Sequence, residues 1–478
     1  MNVKANYING EWVDGVSAQS NLNPSDTSHI IGHYAQASAE QTRLAISAAH
    51  AAFNTWRFGS VQARVDSLDK IGSELLARRE ELGALLASEE GKTLPEAIGE
   101  VARAGNIFKY YAQEILRPDN ALCPSVRPGI SVETTREPIG VIGIITPWNF
   151  PIAIPAWKIA PALAFGNTVV FKPAELVPGC AWALAEIISR SGIPAGVFNL
   201  VSGRGSEVGA TLAADRRLAG LSFTGSVATG TRIATELAGS FTRLQLEMGG
   251  KNPLLVVDDA DIGQAVECAI QGAFYSTGQR CTATSRIIVT PGIQARFVDA
   301  LLARTTSLLV GHALETATQI GPVVDARQLE QDLRYIAIGQ EEGAKLVVGG
   351  NLVVRPTEGF YLQPALFVDC DNSMRICQEE IFGPVATVIS ARDYEHALTL
   401  ANDTPFGLCA GICTTSLKTA QHFKNHAQAG MVMVNAPTAG VDFHVPFGGM
   451  KASSFGPHEQ GPAAREFYTT TKTAYVCS

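Results

Sequence analysis

The sequence predicts an α/β protein with two doubly wound, mainly parallel sheets and a small additional β element. From residue 138 onward, short β-branched runs alternate with helical patterns. A second series of such runs begins near residue 248, and two segments of alternating polar and apolar residues fit neither series. Alternation of strands and helices at this spacing is typical of parallel sheets that carry helices on both faces.

The first series predicts five strands and four crossover helices. The predicted strands are 139–146, 168–172, 197–201, 218–224 and 244–248. The predicted helices are 155–165, 178–191, 205–214 and 227–238. Upstream, residues 38–57 and 62–90 have apolar side chains at helical spacing, and Ser38 with Gln41 resembles a capping box at the first of these helices.

The second series predicts strands at 253–257, 286–290, 345–348, 385–390 and 431–435. We therefore expect residues 1–117 and 138–247 to form one domain and residues 248–440 to form another. The remaining segments, 118–137 and 460–478, contain exposed strands, which tend to find partners. We expect them to form a small sheet that completes a homodimer or homotetramer.

The composition is that of a folded protein with a large core. Hydrophobic residues make up 46% of the chain, charged residues 17%, and the net charge is −8. This balance disfavours binding to nucleic acid. The most apolar stretch, 138–157, is interrupted by prolines and predicts a buried loop, not a membrane span. The N-terminus lacks a continuous apolar run, so we expect a cytoplasmic protein.

A metal site or a disulfide framework is not expected. The chain has nine cysteines, an odd number, and no pair with the C-x-x-C spacing. His422 and His426 have the spacing of a zinc-protease helix, but Phe423 stands where that motif needs a glutamate. We therefore interpret them as exposed helical histidines.

Two glycine turns follow predicted strands. Gly203 and Gly205 open one helix, although Gly209 falls one residue late for a full G-x-G-x-x-G motif. Gly225 and Ser226 open another helix, without the lysine of a P-loop. Each turn alone indicates only a backbone position that needs glycine. Together, at strand ends of one sheet, they indicate a crevice for a dinucleotide.

Two further strand ends carry polar side chains that fit such a crevice. Asn149, in the loop TPWNFP, is either a turn former or an amide donor to an oxyanion. Lys172 ends an apolar strand and could contact ribose hydroxyls or a phosphate. Glu175 could bind ribose hydroxyls and repel a 2′-phosphate, which favours NAD over NADP. Ordinary surface positions are the alternative for Lys172 and Glu175.

Two residues stand out as a general base and a nucleophile. Glu247 closes an apolar strand, where desolvation would raise its carboxyl pKa to suit a base. Cys281 lies among small and polar residues, with Gly278 nearby and Arg280 beside it. An adjacent cation and a helix N-terminus would lower its thiol pKa. An ion-paired glutamate and an inert thiol are the alternatives.

These motifs, in this order, resemble the aldehyde dehydrogenase superfamily over nearly the whole chain. The resemblance rests on TPWNFP, FKPAE, FTGS, LEMGGK, GQRC and EEIFGP, and on spacings of Cys281 from Glu247 and Asn149 that are similar to those of the family. One small departure is Met248, where the family usually has leucine after the base. The resemblance implies the family fold, which has a cofactor domain, a catalytic domain and an oligomerisation arm.

The resemblance also implies roles for single residues. Cys281 would attack the aldehyde, the Asn149 amide and the Cys281 N–H would hold the oxyanion, and Glu247 would activate the water that hydrolyses the thioester. Residues that would contact NAD or NADP lie in the same motifs: Thr146, Pro147, Trp148, Lys172, Ala174, Glu175, Gly205, Gly225, Ser226, Met248, Glu380 and Phe382. The candidate substrate contacts are Arg280, Trp157 and Phe443.

The substrate is expected to be a small aldehyde with a carboxylate. GQRCTATSR and the ending HVPFGGMKASSFGPHEQG resemble the bacterial α-ketoglutaric semialdehyde dehydrogenases, and Arg280 could bind a carboxylate with two hydrogen bonds. A loop tether is the alternative for Arg280. Trp157 stands where the succinic-semialdehyde branch has arginine, which weakens that alternative and resembles betaine-type members. Glu247 argues against transfer to coenzyme A, and the complete set of Cys281, Glu247 and Asn149 argues against a non-catalytic structural protein.

Overall fold

The computed structural model describes residues 3–117 and 120–477. The bounds of its first strands and helices, in chain order, are β1 (Val3–Lys4), β2 (Asn6–Ile8), β3 (Glu11–Val13), β4 (Ser17–Asn23), β5 (Asp26–Gln36), α1 (Ala39–Arg57), α2 (Val61–Ala77), α3 (Arg79–Glu90), α4 (Leu94–Glu114), β6 (Ala121–Pro124), β7 (Ile130–Pro138), β8 (Val141–Ile145), α5 (Ala153–Ala164), β9 (Thr168–Lys172), α6 (Pro178–Ser189), β10 (Phe198–Leu200), α7 (Ala210–Ala214), β11 (Leu218–Thr224), α8 (Val227–Leu237) and β12 (Arg243–Glu247). A π-helical turn, Gly205–Gly209, precedes α7.

The remaining elements follow in the same order: β13 (Asn252–Val256), α9 (Ile262–Ala273), β14 (Thr284–Val289), α10 (Pro291–Thr306), α11 (Ala326–Glu341), β15 (Lys345–Val348), β16 (Ala365–Cys370), α12 (Arg375–Gln378), β17 (Val385–Ser390), α13 (Tyr394–Asn402), β18 (Phe406–Gly407), β19 (Cys409–Cys413), α14 (Leu417–His426), β20 (Met431–Val434), β21 (Met450–Lys451), β22 (Ser454–Phe455), α15 (Arg465–Tyr468) and β23 (Thr469–Cys477). A 3₁₀ turn, Tyr275–Gly278, lies between α9 and β14.

An eight-stranded sheet in the order β22-β12-β11-β8-β9-β10-β2-β3 contains the five strands predicted from the first series. Its central strands β12, β11, β8, β9 and β10 are parallel. Apolar side chains pack against both of its faces. After β8, the chain forms β9 and β10 on one side of that strand, and it then crosses to form β11 on the other side of β8. The switch point of this doubly wound sheet therefore lies between β8 and β11.

A seven-stranded sheet in the order β15-β16-β17-β14-β13-β19-β20 forms the second α/β unit. Only β15 runs antiparallel to its neighbour, and two core clusters cover the faces of the sheet. The sequence did not predict β16 and β19. The latter, CAGIC, consists largely of small residues, which lack the β-branched signal of a buried strand.

The helical segment predicted at 62–90 is two helices, α2 and α3, which are separated at Arg78. The amphipathic pattern continues through this break, so periodicity alone does not reveal it. The capping box of Ser38 and Gln41 is present at the start of α1, as predicted.

A three-stranded sheet, β23-β7-β6, contains both segments that were expected to form an arm. Strands β23 and β7 pair over nine residues, from Thr469 opposite Pro138 to Cys477 opposite Ile130. The first two residues of the predicted segment 118–137 lie outside the described residues. Residues 441–459, which the sequence had left without a domain, contribute β22 to the edge of the eight-stranded sheet beside Glu247.

Candidate active site

The carboxyl ends of the parallel strands bring the predicted cofactor residues to one edge of the eight-stranded sheet. Ile145 pairs with Lys172 and with Phe223, and Thr224 pairs with Glu247. The loops that follow β8 and β11 therefore flank the switch point. These loops begin with Thr146 and with Gly225, whose N–H donates to the main-chain oxygen of Glu247 at 3.0 Å. A dinucleotide binds at such an edge in doubly wound sheets.

Two hydroxyls at this edge are buried without a hydrogen-bond partner among the described residues: Thr146 Oγ1 and Thr224 Oγ1. Beside them, Lys172 is 4% exposed, and burial lowers the pKa of its ammonium group to about 8. Buried polar groups normally have partners, because an unpaired one costs about 1–3 kcal/mol. These groups fit a polar ligand such as a ribose. Thr224 was not predicted, although it precedes Gly225 in the motif FTGS.

The predicted ribose contact Glu175 is held by the glycine turn. Its Oε1 accepts from the N–H of Gly205 at 2.7 Å. Ala174 and Glu175 are both half-buried in the loop after β9. At the neighbouring turn, Ser226 caps α8 by accepting from the N–H of Thr229. The two glycine turns thus present helix starts to the same edge, where a phosphate would be stabilised.

Residues of the second unit meet this edge from the opposite side. Glu380 accepts from the N–H of Gly250 at 2.9 Å, and burial raises its carboxyl pKa to about 7. The Phe382 ring lies edge-on to Trp148, with centroids 5.4 Å apart, and its backbone is left-handed, with a φ of 65°. The sheet edge, the half-buried Pro147 and these two aromatic rings are therefore close together.

Asn149 is 2% exposed, and its Nδ2 donates to the main-chain oxygen of Gln279 at 2.9 Å. A primary amide nitrogen carries two hydrogens, so one remains available for an oxyanion beside Cys281. The main-chain oxygen of Asn149 accepts from Lys92 Nζ at 2.6 Å. This contact fixes the loop from the side of α4. Of the two alternatives for Asn149, this arrangement is compatible with the amide donor.

The loop that carries Cys281 begins with three left-handed residues: Ser276, Thr277 and Gly278 have φ values of 50°, 57° and 67°. Such a conformation is costly for residues with a side chain and persists only when the surroundings enforce it. Glu96 does so by accepting from the N–H and hydroxyl of Ser276 at 2.9 and 3.0 Å. A Cβ on Gly278 would lie 2.3 Å from the Gly383 oxygen. Gly278 therefore allows a close approach of backbone to backbone.

Arg280 is part of the same support. Its Nη2 donates to Glu96 Oε1 at 2.8 Å and to Ser276 Oγ at 2.7 Å. The guanidinium is compensated by a carboxylate of the protein, so the structure favours the loop tether over a contact with substrate. The prediction that Arg280 and a helix N-terminus lower the thiol pKa is wrong. Burial raises the pKa of the Cys281 thiol, and Glu380 and Glu247 raise it further.

The Cys281 main-chain oxygen accepts from Asn252 Nδ2 at 2.8 Å, and a second bond joins Asn252 to Ala283. Asn252 begins β13, so the Cys281 loop is anchored to an inner strand of the second sheet, between β14 and β19. The same loop contacts Asn149 and Glu96 from the first unit. The candidate nucleophile thus lies where the two α/β units meet.

Glu247 is 2% exposed, and its Oε2 accepts from Ser454 Oγ at 2.7 Å. Burial raises the pKa of this carboxyl well above its usual range, and the negative charge of Glu459 raises it further. The hydrogen bond from Ser454 opposes this shift. The predicted desolvation of Glu247 is therefore present. The next residue, Met248, is held by a bond from its N–H to the Ser453 oxygen at 2.7 Å.

The two aromatic candidates for substrate contacts have different surroundings. The Trp157 indole donates to the buried carboxylate of Glu459 and stacks on Phe447, with centroids 5.4 Å apart. Phe443 lies edge-on to Tyr110, with centroids 6.4 Å apart. Trp157 is 5% exposed, so little of its surface is accessible, whereas Phe443 is half-buried.

A model of the aldehyde dehydrogenase family matches residues 12–474, nearly the whole chain. The chain belongs to the aldehyde dehydrogenase family. Members of this family oxidise aldehydes to acids with NAD(P). The family resemblance predicted from six short motifs is therefore confirmed, together with the α/β fold class.

Several family members are similar along their whole length. An α-ketoglutaric semialdehyde dehydrogenase of Bacillus subtilis is 45% identical over 99% of this chain and 98% of its own. A 2,5-dioxopentanoate dehydrogenase of Saccharolobus solfataricus is 41% identical over 97% and 98%. Among solved structures, betaine aldehyde dehydrogenase of Staphylococcus aureus in complex with NAD+ is 33% identical, with a TM-score of 0.96 over 99% of this chain and 95% of that one.

The sequence did not predict the polar side chains that support the family's motifs here. Lys92, Glu96 and Glu100 lie before or within α4, far from the motifs in sequence, and Ser454 comes from the C-terminal segment. Charged residues at apolar positions of an amphipathic helix are a sequence signal that could have identified Glu96 and Glu100. Among the described residues, no helix is long and apolar enough to cross a bilayer, and no cluster of three metal-ligating side chains occurs.

Proposed function

We propose that this enzyme oxidises α-ketoglutaric semialdehyde (2,5-dioxopentanoate) to 2-oxoglutarate, with Cys281 as the nucleophile. The proposal rests on one observation above all: the Cys281 loop meets Asn149 on one side and lies close enough to Glu247 for that carboxylate to raise the thiol pKa. Relatives that share this chain's whole length carry the corresponding names.

In the first step, the Cys281 thiol loses its proton to solvent water, its sulfur forms a bond to the aldehyde carbon, and the carbonyl oxygen becomes an oxyanion. The free Nδ2–H of Asn149 and the Cys281 N–H would stabilise this charge. Such donors act without reorganisation, and the loss of one typically costs about 10²- to 10³-fold in kcat. Lys92 and the Gln279 oxygen hold Asn149 in place for this role.

NAD(P), when bound at this edge, would supply the acceptor for the hydride of the thiohemiacetal carbon, and Cys281 would keep the acyl group as a thioester. Twelve residues would hold this cofactor: Thr146, Pro147, Trp148, Lys172, Ala174, Glu175, Gly205, Gly225, Ser226, Met248, Glu380 and Phe382. The unpartnered hydroxyls of Thr146 and Thr224 fit this group. Glu175 disfavours a 2′-phosphate, so NAD is the favoured cofactor.

In the last step, Glu247 accepts a proton from water, the water oxygen attacks the thioester carbon, and the carbon–sulfur bond breaks. The products are the acid and the Cys281 thiolate. A carboxyl with a raised pKa takes up this proton more readily than an ordinary surface carboxylate. The presence of Glu247 favours hydrolysis over transfer to coenzyme A.

A betaine-type aldehyde is a second candidate substrate, because betaine aldehyde dehydrogenases are also similar along the whole chain. A steady-state panel of semialdehydes and betaine aldehyde, with NAD and NADP, tests the proposal. We expect the highest kcat/KM with 2,5-dioxopentanoate and NAD, without stimulation by coenzyme A. A higher value with betaine aldehyde would contradict it.

We also propose a homo-oligomer, a dimer or tetramer, assembled through the sheet β23-β7-β6. The outer edges of β23 and β6 lack a strand partner among the described residues, and Leu122, Tyr475 and Val476 are exposed there. The domain assignment, with 1–117 and 138–247 holding the cofactor and 248–440 the nucleophile, stays part of this proposal. Light scattering after size exclusion would measure the assembly, and a monomer would contradict it.

A further inference from the structure

Arg103 lies on α4 beside the predicted substrate wall. Its guanidinium carbon lies 5.6 Å from the centroid of the Trp157 ring. Trp157 stacks on Phe447, which packs in the same small apolar cluster as Cys281. The rings of Trp157 and Phe447 therefore lie between the Arg103 side chain and Cys281.

The positive charge of Arg103 has no carboxylate partner within salt-bridge distance among the described residues. Its Nη2 donates to Gln460 Oε1 at 3.0 Å, and its Nε is buried without a partner. Burial lowers the pKa of this guanidinium, and Glu100, Asp442 and Cys281 act in the opposite direction. Buried charges in proteins are normally paired, because desolvation without a partner is unfavourable.

Neither of the nearest acidic groups forms an ion pair with Arg103. Glu100 accepts from Lys92 Nζ at 2.8 Å and from the N–H groups of Ile152 and Ala153 at the start of α5. Asp442 is an exposed residue of the C-terminal segment. Arg103 therefore has the capacity to bind one further anionic group, in addition to the longer-range attraction of Glu100 and Asp442.

Gln460 adds a second unused donor at this place. It is fully buried, its Nε2 has no partner, and its backbone is left-handed with a φ of 59°. A glutamine in such a strained conformation is held by its surroundings, and strain of this kind often accompanies a binding site. The amide and the guanidinium together offer hydrogen-bond donors and one positive charge.

We propose that Arg103 and Gln460 form the subsite for the distal carboxylate of the substrate aldehyde. This inference rests on the proposed function, because it assumes a substrate with a carboxylate at the end opposite the aldehyde. A guanidinium and an amide match the two oxygens of a carboxylate. Arg280, the residue that the sequence suggested for this task, is already bound to Glu96.

The test compares carboxylated and neutral aldehydes of similar length. Steady-state kinetics with 2,5-dioxopentanoate, succinate semialdehyde and pentanal would be measured for the wild type, Arg103→Met and Gln460→Glu. Glutamate is isosteric with glutamine and can still accept the bond from Arg103, so this second variant neutralises the site with little change in packing. Lys109→Met, which removes an exposed charge from the same helix, is the control.

We expect both variants to raise KM for the two carboxylated aldehydes about 10- to 100-fold, the range for hydrogen bonds to a charged group. The kcat/KM for pentanal should change by less than about threefold, which is roughly 0.6 kcal/mol. Glutarate, an inert dicarboxylate, should inhibit the wild type competitively and lose affinity in both variants. Lys109→Met should behave as the wild type.

Equal losses for carboxylated and neutral aldehydes, or no change of KM in Gln460→Glu, would overturn the subsite while leaving the proposed function intact. A wild type that oxidises pentanal as efficiently as the carboxylated aldehydes would instead remove the proposed substrate class, and the subsite with it.

Discussion

Lys92 Nζ donates to the main-chain oxygen of Asn149 at 2.6 Å, inside a fully buried ion pair with Glu100. Burial lowers the pKa of this lysine, but the surrounding carboxylates outweigh it and keep the pKa raised. Glu100 in turn accepts from the first two N–H groups at the start of α5. The loop TPWNFP is thus fixed at its asparagine and at its exit by residues that precede or belong to α4.

Lys92→Met should lower both stability and rate. Breaking a buried ion pair leaves an uncompensated carboxylate, so we expect the free energy of unfolding to fall by about 3–5 kcal/mol. A displaced Asn149 amide should lower kcat by about a hundredfold. Denaturant unfolding and steady-state kinetics would measure the two effects. In Lys109→Met, the exposed pair with Asp69 should cost only about 0–1 kcal/mol. Equal effects in both variants would contradict this role.

Glu247→Gln should slow turnover about 10²- to 10⁴-fold, the usual contribution of a general base. Because hydride departure precedes hydrolysis, we expect a burst of reduced cofactor followed by a slow steady rate in stopped-flow absorbance. The same variant with a full steady-state rate would exclude Glu247 as the base.

Ser454→Ala should move the acid limb of the pH–kcat profile to higher pH. The bond from Ser454 lowers the pKa of Glu247, which burial and Glu459 raise. A base acts only when deprotonated, so removing the bond raises its pKa further and requires a higher pH for activity. A profile over the stable pH range measures this. Ser453→Ala, which leaves that bond in place, is the matched control, and a limb that moves to lower pH would contradict the assignment.

Cys281→Ser should abolish dehydrogenase activity, whereas Cys123→Ser, at an exposed cysteine, should not. The alkylation rate of Cys281 by iodoacetamide offers a second measurement. The negative charge of Glu247 raises the thiol pKa. Glu247→Gln should therefore shift the alkylation profile to lower pH, and an unchanged profile would show that the two groups do not interact.

Arg280→Met should reduce kcat/KM for carboxylated and neutral aldehydes by the same factor, because its guanidinium supports the Ser276 turn through Glu96. Glu96→Gln should likewise reduce kcat/KM equally for both aldehyde classes, because it removes the negative charge that accepts from both Arg280 and Ser276. Steady-state kinetics with 2,5-dioxopentanoate and pentanal would measure the factors. A loss confined to carboxylated aldehydes would restore Arg280 as a substrate contact.

Glu175→Gln should raise the use of NADP relative to NAD. The amide oxygen can still accept from the N–H of Gly205, so the glycine turn should stay in place while the negative charge is lost. We expect the ratio of kcat/KM values for NADP and NAD to increase about tenfold, which corresponds to about 1.4 kcal/mol. Ratios measured with one saturating aldehyde would check this, and an unchanged ratio would exclude a role in cofactor choice.

Local patterns in the sequence predicted the fold class, because strand and helix periodicities are properties of neighbouring residues. The central strands β8, β9, β11 and β12 lie where β-branched runs predicted them. The pattern failed at β19, whose small side chains carry little strand signal, and at Arg78, where one amphipathic segment divides into two helices. Both failures depend on packing against distant elements.

By itself, the sequence determined the family and the identities of Cys281, Asn149 and Glu247 as candidates, since these lie in contiguous motifs with characteristic spacing. Only the tertiary structure decided what surrounds them. Glu96 binds Arg280, so the guanidinium beside Cys281 already has a carboxylate partner, whereas Arg103, from a helix without any motif, forms no ion pair with the described residues. Hydrogen-bond and charge partners are set by proximity in space, and residues hundreds of positions apart leave no trace of that proximity in the local sequence.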